Sequence, residues 1–576
     1  MAAPEVICAN WSSDYTDCKK GAKYTCKSCL LVTVGYIRDP ARCLCVGYAL
    51  KIFSICGVVL RPDMPEVPLA STQPAWVFEN RMPSFIGGGI GKHFGAPKFL
   101  WGNVPAFDVL RLGSNEGDEY REDLRILFAA SGDLRNVIKT IAQLPSSYGR
   151  SLEITINDRD FDIVARNVTL LLIALVVEDV DEAVDHIIHL WYSALVREAD
   201  VDLLHQRISP LIESICGKIK DKAPKSLLGK TWTFGKCSLR IVLEKSSWDR
   251  LLAFIAAPIA LTAERAREIR AAITLAESRK DYRDRYMYCL SPVHRIAFNK
   301  FREDGLLLPF GSTRQEFRVP NPTFFQDEST WPMTDSADPH QGWSSEEVAS
   351  TSSGAATADI YGKLFYHIRG TLRSFLDQLS RLCLSFKLFQ VDASSLPGLL
   401  EENAFSRIEV SNISDRGWLG IHRTLELMVP LLQTSLENPH ASLITLFLNA
   451  VDETLTDQDR LHMTTDSSSI NALFKYLPPT KRISSTYDPQ LMKHIAGRDR
   501  LTSFDHIFDR HSKAFEFCET ADFLGAAMKD NHSIIDKWPF MLKLRPGQQG
   551  AQEEFDRSIS GGMSGKECYV EWKRIR

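Results

Sequence analysis

An α/β protein organised round a parallel β-sheet is what this sequence predicts, and three observations carry the prediction. Short apolar runs end in polar clusters and give way to helical periodicity. That strand–turn–helix plan occurs twice between residues 124 and 177, in "LRILFAASGDLRNVIKTIAQL" and "SLEITINDRDFDIVARNVTLLLIALVV". It resumes downstream in three further strand-like runs, "FKLFQVDASSLP", "FSRIEVSNISDRGWLG" and "ASLITLFLNAV". Parallel strands joined by right-handed helical crossovers produce this pattern, because both faces of such a sheet are covered.

Each element follows from its residues. After "LRILF" and a glycine-containing turn, Val137, Ile138, Ile141 and Leu144 fall on one face of a 3.6-period helix. "LEITIN" is the second strand, followed by an acidic turn and a long apolar helix. Residues 181–380 read as a mainly helical insertion, with an apolar stripe in "DEAVDHIIHLWYSALV" and charge–alanine alternation in "AERAREIRAAITLAESRKDYRDRYMY". His186 and His189 stand three apart, a spacing that allows a shared metal but that also puts both on the core side of an amphipathic helix, which is the reading adopted. "SSEEVASTSSGAATADIYG", 344–362, is small and polar and reads as a surface loop or linker. Residues 61–100 are a Pro- and Gly-rich lead-in, and its "GGGIGKHFG" lacks the Gly-Lys-Ser/Thr ending of a phosphate loop. The expected division is 1–60, 61–180 (lead-in and first half of the sheet domain), 181–380 (helical insertion), 381–475 (second half of the sheet domain) and 476–576 (C-terminal helical extension).

Composition bounds the function classes. The chain has 576 residues, a net charge of −4 and 44% hydrophobic residues, which fits a globular protein of several domains. A near-neutral balance argues against a dedicated nucleic-acid binder. "MAAPEVICANWSSD" shows neither the basic start nor the apolar core of a signal peptide, so an intracellular, cytoplasmic location is expected. "CLCVGYALKIFSICGVVL", 43–60, is apolar, but Lys51 in its middle makes a membrane span unfavourable.

Near the N-terminus, Cys8, Cys18, Cys26 and Cys29 are spaced for zinc, and Cys26-x-x-Cys29 is a pair that one ion can grip from a tight turn. The stretch resembles the MYND-type zinc finger of fungal proteins, in which a later Cys-x-x-x-Cys and His-x-x-x-Cys complete two interleaved sites. Here no histidine follows before His93, and Cys43, Cys45 and Cys56 do not match that spacing. The abrupt change after "CKSCLLV" has the character of translated intron in place of the second half. The resemblance implies zinc on Cys8, Cys18, Cys26 and Cys29 and a role in recruiting a protein partner.

Four of the loops after the strands carry a second resemblance. "FAASGDLRN", "INDRD", "QVDASSLP" and "VSNISD" occupy the first to fourth turns of what resembles the Rossmann-like class I S-adenosylmethionine-dependent methyltransferase fold, with a large helical insertion. It implies a cleft lined by Ser131, Gly132, Asp133, Asp158, Asp392 and Asn412. Gly132 lets the backbone approach the cofactor, and Asp158, with Asp160 two residues on, takes the ribose hydroxyls. Asp392 and Ala393 lie beside the adenine, and Asn412 and Asp415 near the transferred group. The longer stretch "KFLWGNVPAFDVL…LRILFAASGDLRNVIKTIAQLP…LEITINDRDFDIVARN" is similar to the domain of unknown function shared by fungal MYND-finger proteins and the dynein axonemal assembly factors. The departures bear on activity. The first loop has one glycine and no leading acid, and "SNISD" replaces the Asn/Asp-Pro-Pro-Tyr of nitrogen methylators. The expectation is therefore a non-catalytic interaction or assembly protein with no assigned catalytic residue; the alternative is an active S-adenosylmethionine-dependent methyltransferase. In the bland reading of "SGDLRN", Asp133 caps a helix while Arg135 and Asn136 tie loops together.

Structural zinc is normally closed by four protein ligands, and here each of two interleaved sites keeps only half its set. The purified chain is expected to carry less than one tightly bound zinc per molecule, measured by elemental analysis after gel filtration. Two zincs per chain would show that Cys43, Cys45 or Cys56 had been recruited.

Overall fold

The structure is a computed structural model that describes residues 74–88, 93–256, 260–479 and 487–576, together with a short antiparallel pairing of Tyr24–Thr25 with Val32–Thr33. Cys8, Cys18, Cys26 and Cys29, the apolar run 43–60 and Lys92 lie outside the described residues.

Nine strands form one sheet: β1 Leu124–Phe128, β2 Leu152–Asn157, β3 Leu227–Phe234, β4 Cys237–Glu244, β5 Leu384–Phe389, β6 Arg407–Glu409, β7 Ser442–Phe447, β8 Ala526–Met528 and β9 Cys568–Arg574. Their spatial order is β8-β9-β7-β6-β1-β2-β5-β4-β3. The run from β7 to β4 is parallel throughout. β3 pairs antiparallel with β4 at one edge, and β9 lies antiparallel between β7 and β8 at the other. The chain builds outward from β1 first through β2 and β5, then crosses to β6 and β7, so the order reverses between β1 and β6.

The strands read as apolar runs because both faces are buried. Ile126 and Phe128 belong to one core cluster, whereas Leu127 between them belongs to the other. The first cluster receives helix α1 (Arg135–Ala142), α2 (Phe161–Val176), α3 (Val180–Tyr192) and α4 (Ile360–Arg381). The last of these packs along both α1 and α3. The second cluster is closed by α5 (Gly420–Met428) and by Phe508, Phe517 and Trp572 of the C-terminal region. Among the described residues no helix is long and apolar enough to cross a membrane.

His186 and His189 point into the core on α3. His186 Nδ1 lies 2.6 Å from Asp200 Oδ1, and His189 packs against the rings of Phe317 and Phe365. Burial lowers the His189 pKa to about 3, so its imidazole is neutral.

The insertion 181–380 is mainly helical and also carries the β3–β4 hairpin, which extends the main sheet at one edge. Two expectations are corrected. Segment 344–362 is no free linker: Ser345–Ser350 is helical, and Ala356 and Ala358 are buried. Residues 476–576 are not a helical extension either, since β8 and β9 complete the sheet. In "CYVEWKR" the acid disguises a buried strand: Glu571 is fully buried and accepts the backbone N–H groups of Ile534 (2.7 Å) and Ile535 (3.0 Å). Beside it, Trp572 is fully buried and its indole N–H donates to Thr445 Oγ1 on β7 at 2.9 Å. Trp572→Ala is expected to destabilise the whole domain by about 3–5 kcal/mol, read as a lower urea midpoint that far-ultraviolet circular dichroism and tryptophan fluorescence report together.

Candidate functional site

A reversal of strand order opens a crevice at the carboxyl ends of the strands, where open α/β sheets bind ligands. Here it is a cleft of about 710 Å³. Its first wall is the β1–α1 loop. Ala129 N–H donates to Glu409 O on β6 (2.9 Å) and Ser131 N–H to Asn157 O on β2 (2.8 Å), so the loop departs from a fixed point. Gly132 then turns with φ +55°, a left-handed conformation that glycine adopts without strain, and an added Cβ would face open space.

Asp133 and Arg135 lock the next turn. The Arg135 Nε–H donates to both carboxylate oxygens of Asp133, at 2.8 and 2.6 Å. Its Nη1 donates to Val104 O (2.6 Å) and to Gly342 O. The neighbouring Asn136 accepts Phe107 N–H through Oδ1 at 3.2 Å. The start of α1 is thus tied to the lead-in and to the end of the insertion.

The second wall comes from β2. Asn157 is buried, and its Nδ2 donates to Ala129 O (2.9 Å) and Val391 O (3.1 Å), while its Oδ1 accepts Val391 N–H (3.1 Å). One amide therefore holds the ends of β1, β2 and β5 together. Asp158 follows, with Oδ2 accepting Gly132 N–H at 3.0 Å and Oδ1 accepting Asp160 N–H at 2.9 Å. Burial pushes its carboxyl pKa up, against the lowering by those two backbone bonds. Asp160 caps α2 by accepting Asp162 N–H and pairs with Lys98. Asp392 caps a short 3₁₀ turn through Ser394, whose hydroxyl and N–H hold its carboxyl below the usual range. At the rim the Arg159 guanidinium lies 4.9 Å from the centre of the exposed Trp418 ring.

Glu409 forms the floor. It ends β6, is 4% exposed, and accepts Ser411 N–H at 2.6 Å through Oε1. Burial raises its pKa to about 7. Tyr569 from β9 lies there too, 2% exposed, with its ring edge-on to Phe107. Both residues line the cleft. Ser411, just beyond Glu409, takes φ +53°, a rare conformation for a residue with a side chain and one often found at binding sites.

Ser131, Gly132, Asp133, Asp158, Asp160, Asp392, Ala393 and Asn412 all line this one cleft, as the loop assignments predict. Asp415 does not. It is buried behind the loop, where it accepts Leu448 N–H (3.1 Å) and the Asn449 side-chain N–H (3.0 Å), so it fixes the β6 and β7 loops to each other. Sequence reasoning missed Glu409 and Tyr569. The signal for Glu409 was an acid between the apolar Ile408 and Val410; Tyr569 had none, because β9 itself was not recognised.

Residues 100–196, from the lead-in through α3, match the family described as a domain of unknown function (DUF4470). No curated protein and no solved structure matches the chain.

The Glu409 carboxyl gives a stability signature. Its folded pKa of about 7 stands above the ordinary 4.5, so folding takes up a proton between those values. Stability therefore falls as pH rises from 4.5 to 7 and levels off above. Glu409→Gln removes this dependence while keeping the oxygen that accepts Ser411 N–H. The variant is expected to gain on the parent progressively across that window, by up to about 3 kcal/mol at pH 8, in urea unfolding at a series of pH values. A gap that does not change with pH would refute it.

Proposed function

We propose that this chain is a non-catalytic protein-interaction or assembly protein built on a methyltransferase-type scaffold, with the N-terminal cysteine segment as the degraded remnant of a recruiting zinc finger. The observation that carries the reading is the commitment of the donor-binding loops to the protein itself. A methyl donor of the S-adenosylmethionine type would need the acid ending β2 for its ribose and the N-terminus of α1 for its carboxylate. Both oxygens of Asp158 already accept backbone N–H groups, from Gly132 and Asp160. The α1 N-terminus is occupied by Asp133, which also accepts Arg135 N–H and holds the guanidinium. A donor carboxylate there would meet a carboxylate. The residues present fit the cofactor poorly, and no step is routed through it.

A second reading, a working methyltransferase, is favoured by one observation. Setting the hairpin aside, the strand order β5-β2-β1-β6-β7 is the doubly wound 3-2-1-4-5 arrangement. The antiparallel β9 beside β7 suits the methyltransferase variant of that fold, and the cleft at the switch point stands open.

Calorimetry separates the two. Millimolar S-adenosylmethionine is expected to give no saturable heat with the full chain, and Asp158→Ala is expected to lower stability by about 1–3 kcal/mol, the cost of leaving buried backbone donors unmatched. A micromolar dissociation constant that Asp158→Ala raises about tenfold would overturn the scaffold reading and establish the enzyme.

A further inference from the structure

The same cleft has a floor that the donor-binding loops do not explain. Among the described residues, Glu409 accepts one hydrogen bond, to Oε1 from Ser411. Among the same described residues, no side chain or backbone group donates to Oε2, and no partner meets the Tyr569 hydroxyl. A carboxylate and a phenol this deeply buried ordinarily have partners, because burial without them is costly. Both line the cleft, Tyr569 with its ring packed in the core beside Phe107.

The cations nearby are committed elsewhere. Lys98 pairs with Asp160 and Asp162, Arg135 with Asp133, and Arg159 lies over Trp418. The floor is therefore an acidic and hydrogen-bond-accepting end, with Phe107, Leu446 and Leu448 as apolar wall above it. An anion would be repelled there. A neutral apolar group would leave two buried oxygens unsatisfied. A compact cation with several N–H donors on an aliphatic stem satisfies both oxygens, and its stem covers the apolar wall.

We propose that the cleft binds an aliphatic primary ammonium group, with Glu409 as its counter-ion and Tyr569 as a second hydrogen-bond acceptor. The group is supplied either by a free alkylamine or by a lysine side chain of a protein partner. The proposal stands apart from the scaffold reading, since no methyl donor enters its test.

The test titrates the full chain with two amines, n-butylamine and Nα-acetyl-lysine N-methylamide, and with their neutral counterparts, 1-butanol and Nα-acetyl-norleucine N-methylamide. Saturable binding of an amine but not of its neutral counterpart is expected, weakened at least tenfold in Glu409→Gln and several-fold in Tyr569→Phe. Equal affinity for both amines assigns the cleft to a free amine. A tenfold preference for the capped lysine assigns it to a protein partner. Binding of amine and neutral compound alike, no saturable amine binding at tens of millimolar, or a Glu409→Gln variant that binds as the parent does would overturn the proposal. Should Glu409→Gln fail to fold, the parent's discrimination and Tyr569→Phe decide.

Discussion

The Arg135 guanidinium is the contact on which the rest of the site depends. It is buried, ion-paired to Asp133 two residues back, and bonded to carbonyls at 104 and 342. Three segments far apart in sequence converge on it: the lead-in, the β1–α1 loop and the end of the helical insertion. Two glycines make the approach possible. A Cβ at Gly102 would overlap the guanidinium, and one at Gly342 would press on both the guanidinium and Trp101 O. A buried charge of this kind contributes little net stability when paired, yet losing one partner strands the other at a cost of about 3–5 kcal/mol. The energetic consequence is geometric specificity. The segment before β1 has little regular structure of its own; Leu100, Trp101, Val109 and Leu110 anchor it in the core, and Arg135 ties it to the cleft through the Val104 carbonyl.

What was legible in the sequence follows from this division between pattern and charge. The central strands were readable because burial on both faces leaves mainly apolar runs, as in "LRILF", with Arg125 half-buried, and "SLITLF". The loop residues at their ends were readable because a polar cluster after a parallel strand points to the crevice. Where an acid sits inside a strand, the pattern does not tell its role. Glu571 in β9 is satisfied by backbone N–H groups from a distant loop, whereas Glu409 in β6 accepts Ser411 N–H through one oxygen alone among the described residues, and no local periodicity encodes either arrangement. The β3–β4 hairpin was hidden for another reason. β3 alternates between exposed and half-buried positions, so it lacks the apolar continuity of the inner strands. Asp415 was placed in the cleft on the strength of its loop alone, whereas its side chain turns to meet the β7 loop.

The cleft is therefore two halves with different physical states. Along β1 and β2 the polar atoms form closed pairs: Asp158 with two backbone amides, Asp133 with Arg135, Asn157 with three strand ends. Opening any of them to a ligand would exchange one hydrogen bond for another, with little net gain. Along β6 and β9 the balance differs. Glu409 is buried and held by Ser411 N–H through one oxygen, and the cost of that burial raises its pKa to about 7. A ligand that satisfied it would recover that cost as binding energy. Affinity in this molecule should thus concentrate at the end of the crevice away from the glycine loop. An open parallel sheet can keep its crevice at the switch point while the groups free to meet a ligand stand on the opposite wall.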